Sequence, residues 1–433
     1  MASEVILWIG IALTLGLFLT ASPIFVALGI GSAVLSLWAF GLPPNTVADM
    51  LVQGISSFTM LALPLFVYMG DIFLEGGSAR PLINVIKSLV GRIPGGVGIA
   101  TVVIAAFISA ICGSSTAGIA MVAMIMIPEM VSLKYDQGFA GAIVASSGSM
   151  ANLIPPSLFF ILYGALAELN IATLFAAGML PGVITAGVLT MVTFMVARRK
   201  AYPLPPPVSG AEKRQIFVKA IPALIMPVIV LGSIYGGIAT PTEAAAVACV
   251  YSMFLGFFVY RKLNPKTLWK ATSRSAITIG AVLLMVAGGI VLGRMFVIAG
   301  FPEAVTNAVM AAGLSPLAFL LLAGVVIIIL GTFIECVLML YVCVPLFYAT
   351  VLALGISPIH FGVVIVLGIM VGQSTPPMAE AIYVASSAGD VPSVDITRHI
   401  LPFIIGLAIA FYVIILFPEL SLIVPRLMGM VLP

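Results

Sequence analysis

The run RIPGGVGIATVVIAAFISAICGSSTAGIAMVAMIMIPEMVSLK, residues 92–134, decides the fold. It carries no charge between Arg92 and Glu129, and basic residues flank it: Arg80, Lys87 and Arg92 before, Lys134 after. Lysine and arginine collect on the cytoplasmic side of a membrane, so both ends lie inside and the run does not cross once. Two full spans of about 20 residues each, with a polar turn between them, do not fit. The run is predicted to enter and leave by one face, as a re-entrant helical hairpin over 95–128 with its tip at Gly113-Ser114-Ser115.

The rest of the chain has the same character. Hydrophobic residues make up 62% of its 433 residues and charged residues 8%, against about 25% charged in a soluble domain. Charge is missing from whole stretches, as between Glu4 and Asp49, Glu335 and Glu380, and Arg398 and Glu419. Lipid cannot satisfy open backbone groups, so an all-α polytopic membrane protein follows. The apolar segments are too long and continuous for barrel strands. No basic n-region precedes the first apolar stretch, which therefore reads as a span and not a cleaved signal. Cys112, Cys249, Cys336 and Cys343 all sit in apolar stretches and read as packing residues. A net charge of +3 points to no nucleic-acid partner. There is no G-x-x-x-x-G-K-[ST] loop and no room for a nucleotide-binding domain, so an ion gradient is the natural energy source.

Ten crossing spans are predicted, at roughly 5–20, 23–40, 51–75, 137–165, 171–197, 217–237, 241–260, 275–300, 358–386 and 398–418. A periplasmic N-terminus puts every basic cluster inside, leaving only Arg294 and Arg426 elsewhere. A second hairpin, 315–354, then has both ends outside and its tip at Gly331-Thr332. The halves correspond at an offset of about 220: TASP (20–23) with IATP (238–241), Gly113 with Gly331, Pro155-Pro156 with Pro376-Pro377. The expected division is a first repeat over 1–200, a cytoplasmic linker over 201–216 containing YPLPPP, and a second repeat over 217–433. Each repeat has five crossings, an odd number, so the second copy is inverted. Inverted repeats with broken helices in matching positions point to a transporter with its site at the midplane.

Four polar interruptions fall at membrane depth: the tips CGSSTAG (112–118) and LGTFIE (330–335), and the breaks SSGSMANLIPPS (146–157) and GQSTPPM (372–378). Consecutive prolines remove donors and disfavour helix before them, so each break should unwind. Unwound carbonyls and hydroxyls suit an alkali cation, and exposed helix N-termini suit a carboxylate. Singly, such stretches are also ordinary helix packing or kinks. Glu335 lies deep in an apolar run, which marks it as an ion ligand, a proton acceptor or a structural acceptor. Glu380 follows the second break and either lines the site or faces solvent. Arg294 reads as an attractant for an anion, a docking residue or a snorkelling side chain. Thr240, Pro241 and Glu243 form a capping box. His360 and His399 stand apart near span ends, so the nucleophile–base pair of an intramembrane hydrolase is not expected, and the chain is read as no enzyme.

In this order the motifs resemble the large membrane (M) subunit of the tripartite ATP-independent periplasmic (TRAP) transporters along the whole chain. CGSSTAGIA, LIPPSLFFILYG (153–164), GGIATPTEAAAVA (236–248), GTFIE, STPP and VASSAGDVP (384–392) carry the likeness. The resemblance implies an elevator-type transporter, with hairpins and broken helices forming the moving domain and the other spans a scaffold. It implies a separate small four-span Q subunit, a periplasmic substrate-binding protein, no cofactor, and sodium-driven uptake of small organic acids across the bacterial inner membrane. One sodium ion would lie among Ser114, Ser115, Gly148 and Asn152, and another among Gly331, Thr332, Glu335, Gly372 and Thr375. Substrate would lie between the tips, with Ser114, Ser115, Ser149, Asn152, Thr332, Gln373, Ser374 and Arg294 as candidate contacts. The chain departs from the family pattern at Gln373, usually apolar, and at Met378-Ala379-Glu380-Ala381, where a Val-Gly pair and a later Asn are usual. The alternative expectation is a stand-alone sodium/dicarboxylate carrier without a binding protein.

Overall fold

The computed structural model describes residue 16 and residues 24–90, 93–200, 202–204 and 209–433. The expected span 5–20 (residue 16 apart), the TASP match at 20–23 and Arg92 lie outside the described residues. Everything regular among the described residues is helical.

Two helices sit at the centre. In Gln137–Gly148 every residue after Gln137 is buried, and in Pro358–Gln373 every residue is buried. A helix that is apolar and covered all round belongs to the interior. Both stop where expected. The first tightens into a 3-10 turn over Ser149–Asn152, runs through Pro155-Pro156 and restarts as Leu158–Leu166. The second ends at Gln373 and restarts as Glu380–Gly389. Both Pro-Pro bonds are cis.

Around these lie the two helix pairs. Gly96–Cys112 and Ser115–Ser132 pack against each other, as do Pro316–Gly331 and Cys336–Ala353. The first tip is interior: Ile111 and Cys112 are buried, and the Leu158 N–H donates to the Gly113 carbonyl at 3.4 Å. A third group joins Phe58–Glu75, Pro241–Phe254 and Pro265–Ile298. It holds a charged knot. The buried Asp71 accepts from the Ser275 hydroxyl at 2.5 Å, and Glu75 meets Lys270 at 3.2 Å and Arg274 at 3.1 Å.

Much of the element order of the first half recurs in the second, and several special backbone positions recur about 220 residues later. Ile24–Val34 and Pro241–Phe254 each run into a five-residue π-turn, Leu35–Ala39 and Leu255–Val259. Left-handed positions pair as Gly41 with Arg261, Lys134 with Gly355, and Glu168 with Asp390.

The spans differ in detail from expectation. Eight helices among the described residues are long and apolar enough to cross a membrane, and two of these, Ser115–Ser132 and Cys336–Ala353, are hairpin arms. The two broken segments are absent from that set because no single helix in them runs far enough. The stretch 51–75 is two pieces, Pro44–Ile55 and Phe58–Glu75, separated at Ser56-Ser57. The stretch 275–300 belongs to a longer helix, Pro265–Ile298, which starts on an Asn264–Thr267 capping box. The linker is shorter than 201–216, because Ser209 caps a helix over Gly210–Tyr235. The predicted capping box of Thr240 and Glu243 is present.

Candidate substrate and ion site

Each hairpin tip meets a break in a central helix. At the first, Gly113 turns the chain at φ 63°, and a Cβ there would sit 3.3 Å from the Pro156 carbonyl oxygen. Ser114 then caps Ser115–Ser132, its hydroxyl oxygen accepting from the Ala117 N–H at 3.5 Å. Gly148 lies against Ile119, whose Cα is 3.0 Å from where a Cβ would project. At the second, Gly331 and Gly372 touch backbone to backbone: a Cβ on Gly372 would lie 2.7 Å from the Gly331 Cα. Glu335 caps Cys336–Ala353, its carboxylate accepting from the N–H groups of Val337 at 2.9 Å and Leu338 at 3.1 Å. Caps of this kind hold a helix start with about 1 kcal/mol. Ser114 and Glu335 hold matching places at the starts of the two second arms, one a hydroxyl and one a carboxyl.

The hydroxyls near the breaks return to their own turns. Thr332 donates to the Ile328 carbonyl at 2.9 Å, Ser374 to Met370 at 3.0 Å and Thr375 to Val371 at 2.7 Å. One contact joins the two breaks directly: the Ser149 and Ser374 hydroxyls are 3.3 Å apart. Ser157 donates to the Asn152 carbonyl, closing the first break on itself.

Two buried amides are unsatisfied. Asn152 is fully buried, and neither atom of its side-chain amide has a partner. Gln373 is 2% exposed; its Oε1 accepts from the Cys336 thiol at 2.9 Å and its Nε2 has no partner. Each stands three residues before a Pro-Pro pair, so these too are repeat partners. An unpartnered buried polar group costs about 1–3 kcal/mol, so two in matching places call for a ligand that uses them.

Half-buried Glu380 bridges the two hairpins. Its Oε1 accepts from the Thr116 hydroxyl at 3.1 Å and its Oε2 from the Cys336 thiol at 3.5 Å.

A family model described as "Tripartite ATP-independent periplasmic transporter, DctM component" matches residues 11–420. The chain belongs to this family. Its relatives include the sialic acid TRAP transporter large permease protein SiaM of Vibrio cholerae, 34% identical over 88% of this chain and 90% of that protein. The C4-dicarboxylate large permease DctM of Pseudomonas aeruginosa is 35% identical over 89% of this chain and 90% of that one. The isethionate permease DctMQ of Oleidesulfovibrio alaskensis is 32% identical over 88% of this chain and 60% of that protein. The crystal structure of the Alcanivorax borkumensis YdaH transporter superposes with a TM-score of 0.61 at 13% identity, covering 86% of this chain and 87% of that one. At that identity the likeness is one of fold.

In this TRAP large subunit most of the candidate residues come together, though in three settings. Ser114, Ser115, Gly148 and Asn152 lie at the first tip and its break, and Gly331, Thr332, Glu335, Gly372 and Thr375 at the second. Ser149, Gln373 and Ser374 lie between them. Arg294 is exposed on Pro265–Ile298 and without an ion pair among the described residues. His360 bonds Ser421 and His399 bonds the Asp395 carbonyl, and neither bonds a hairpin serine. Sequence reasoning quoted Thr116 within CGSSTAG without singling it out, read Cys336 as packing, and left Glu380 open. It also passed over Asp71, although a carboxylate in an apolar span is itself a signal.

Proposed function

We propose that this chain takes up a small organic anion, a carboxylate or sulfonate, across the bacterial inner membrane by coupling its entry to sodium. A periplasmic binding protein delivers the anion and a separate small membrane subunit completes the transporter. The observation that carries this reading is the pair of hairpin tips docked on two broken helices, with the unpartnered amides of Asn152 and Gln373 between them. Relatives named for sialic acid, C4-dicarboxylates and isethionate support the substrate class, and one named DctMQ supports the small subunit. Carbonyls and hydroxyls at the two tip–break contacts, with Glu335 at the second, suit sodium. The recurring elements fit an inverted repeat with a periplasmic N-terminus, divided at the linker that ends at Ser209. In an elevator motion the hairpins and broken helices move as one body against Phe58–Glu75, Pro241–Phe254 and Pro265–Ile298.

Proteoliposomes holding the chain and its small subunit test this, with labelled succinate, N-acetylneuraminate and isethionate as probes. Uptake of one probe that needs both an inward sodium gradient and the cognate binding protein is expected. Uptake without the binding protein would establish the stand-alone carrier instead. Uptake indifferent to sodium, or no uptake of any acid, would refute the proposal.

A further inference from the structure

We propose that Glu380 makes the transported acid a zwitterion: an organic anion that also carries an ammonium or similar cationic nitrogen, which docks on the Glu380 carboxylate. This rests on the organic-anion reading above and narrows it.

The placement comes first. Glu380 opens the helix after the second break, and its two oxygens reach Thr116 on the first hairpin and Cys336 on the second. It therefore lies between the tips, where the substrate is placed. One oxygen meets a hydroxyl, and the other meets only a thiol whose single proton is nearer to Gln373. No lysine or arginine among the described residues forms an ion pair with Glu380 or Glu335; the acidic partners in the ion pairs are Asp71, Glu75, Glu129, Asp136, Asp395 and Glu419. Glu335 is served by two N–H groups of its own helix and by the proposed ion. Glu380 has one hydroxyl and one thiol. Its charge is the one left over at the site.

A second observation points to a ligand at the same place. The thiol that reaches Glu380 also reaches Gln373, whose amide Nε2 is buried and unpartnered. The amide of Asn152 is unpartnered as well. The site thus offers free N–H donors for an acid group and a bare carboxylate for a positive one. A ligand with both ends satisfies both. A dianion leaves Glu380 facing like charge, which is disfavoured. The fold does not require this charge: Phe159 holds the corresponding position in the first repeat, and Leu158–Leu166 forms there on a Ser157 cap.

Matched probes test the proposal: aspartate against malate, and alanine against lactate. Each pair shares a skeleton and differs in an ammonium against a hydroxyl. Binding to the purified chain with its small subunit is measured by equilibrium dialysis in saturating sodium. In at least one pair the ammonium member should bind tenfold tighter or better. Glu380→Gln should erase that preference at unchanged sodium half-saturation, and Glu380→Asp should keep it within threefold. A hydroxy acid preferred in every pair, a ratio unchanged by Glu380→Gln, or no binding by any probe overturns it. Hydroxy acids bound by wild type as tightly as their ammonium partners in every pair would sink this inference and leave organic-anion transport standing. A fall in sodium affinity with the ratio unmoved would assign Glu380 to the ion and likewise overturn it.

Discussion

Replacing Gly372 by alanine tests whether the second tip must dock on its break. The added Cβ would lie 2.7 Å from the Gly331 Cα, 2.8 Å from its carbonyl carbon and 3.1 Å from its oxygen. All three are backbone atoms, so no side chain can rotate aside. Overpacking of this kind costs about 1–3 kcal/mol. At about 1.4 kcal/mol per factor of ten, the docked tip is disfavoured by roughly 5- to 150-fold. If sodium binds only the docked arrangement, its half-saturation concentration rises by up to that factor. Gly187→Ala is the control, because nothing lies within 4 Å of its added Cβ. The assay is the sodium dependence of uptake in proteoliposomes, with thermal midpoints in detergent beside it. Equal sodium half-saturation in the two variants would refute the docking argument.

Glu335→Gln keeps an acceptor for the Val337 and Leu338 N–H groups but removes the charge; sodium half-saturation in uptake should rise about tenfold or more, equivalent to ~1.4 kcal/mol, while the thermal midpoint barely moves. Thr332→Ala should shift the same sodium curve in the same direction, with expression retained. Ser275→Ala removes the hydroxyl from buried Asp71 and should cost about 1.5–3 kcal/mol of stability, read as a lower thermal midpoint with sodium affinity unchanged. Outside the spans, the Tyr202 hydroxyl and then Lys200 hold the Asp136 carboxyl below its usual range. A depressed carboxylate contributes stability above its unfolded pKa, near 4, and loses it as pH falls through the folded value. Tyr202→Phe should therefore flatten the acid limb of the thermal midpoint between pH 5 and pH 2. Asp136 is 43% exposed, so screening keeps the effect small. An unchanged acid limb would argue against the Tyr202 contact.

Much of the architecture was legible because lipid leaves a chain few options. Runs without charge located the helices, and the charges flanking residues 92–134 made a hairpin of a stretch that hydropathy alone reads as a span. Pro155-Pro156 and Pro376-Pro377 marked the breaks because proline removes the donors a helix needs. Helix ends were less legible. Gly210–Tyr235 and Pro265–Ile298 begin well outside their apolar cores, since Ser209 and Asn264 cap charged turns that water can solvate. The contacts of the site were legible only in part. Hard oxygens and glycines announced the tips, but a thiol inside an apolar run looks like packing, so nothing in the letters tied Cys336 to both Gln373 and Glu380. Nor could spacing show that Arg294 would be exposed, because its side depends on how a long helix is rotated.

The two second arms begin on unlike caps, Ser114 and Glu335. In the inverted arrangement proposed above, identical halves would make the inward-open and outward-open forms equivalent by a two-fold rotation and equal in energy. The unlike caps are among the differences between the halves that lift that degeneracy. Under that proposal the two forms are unequally populated even without a gradient.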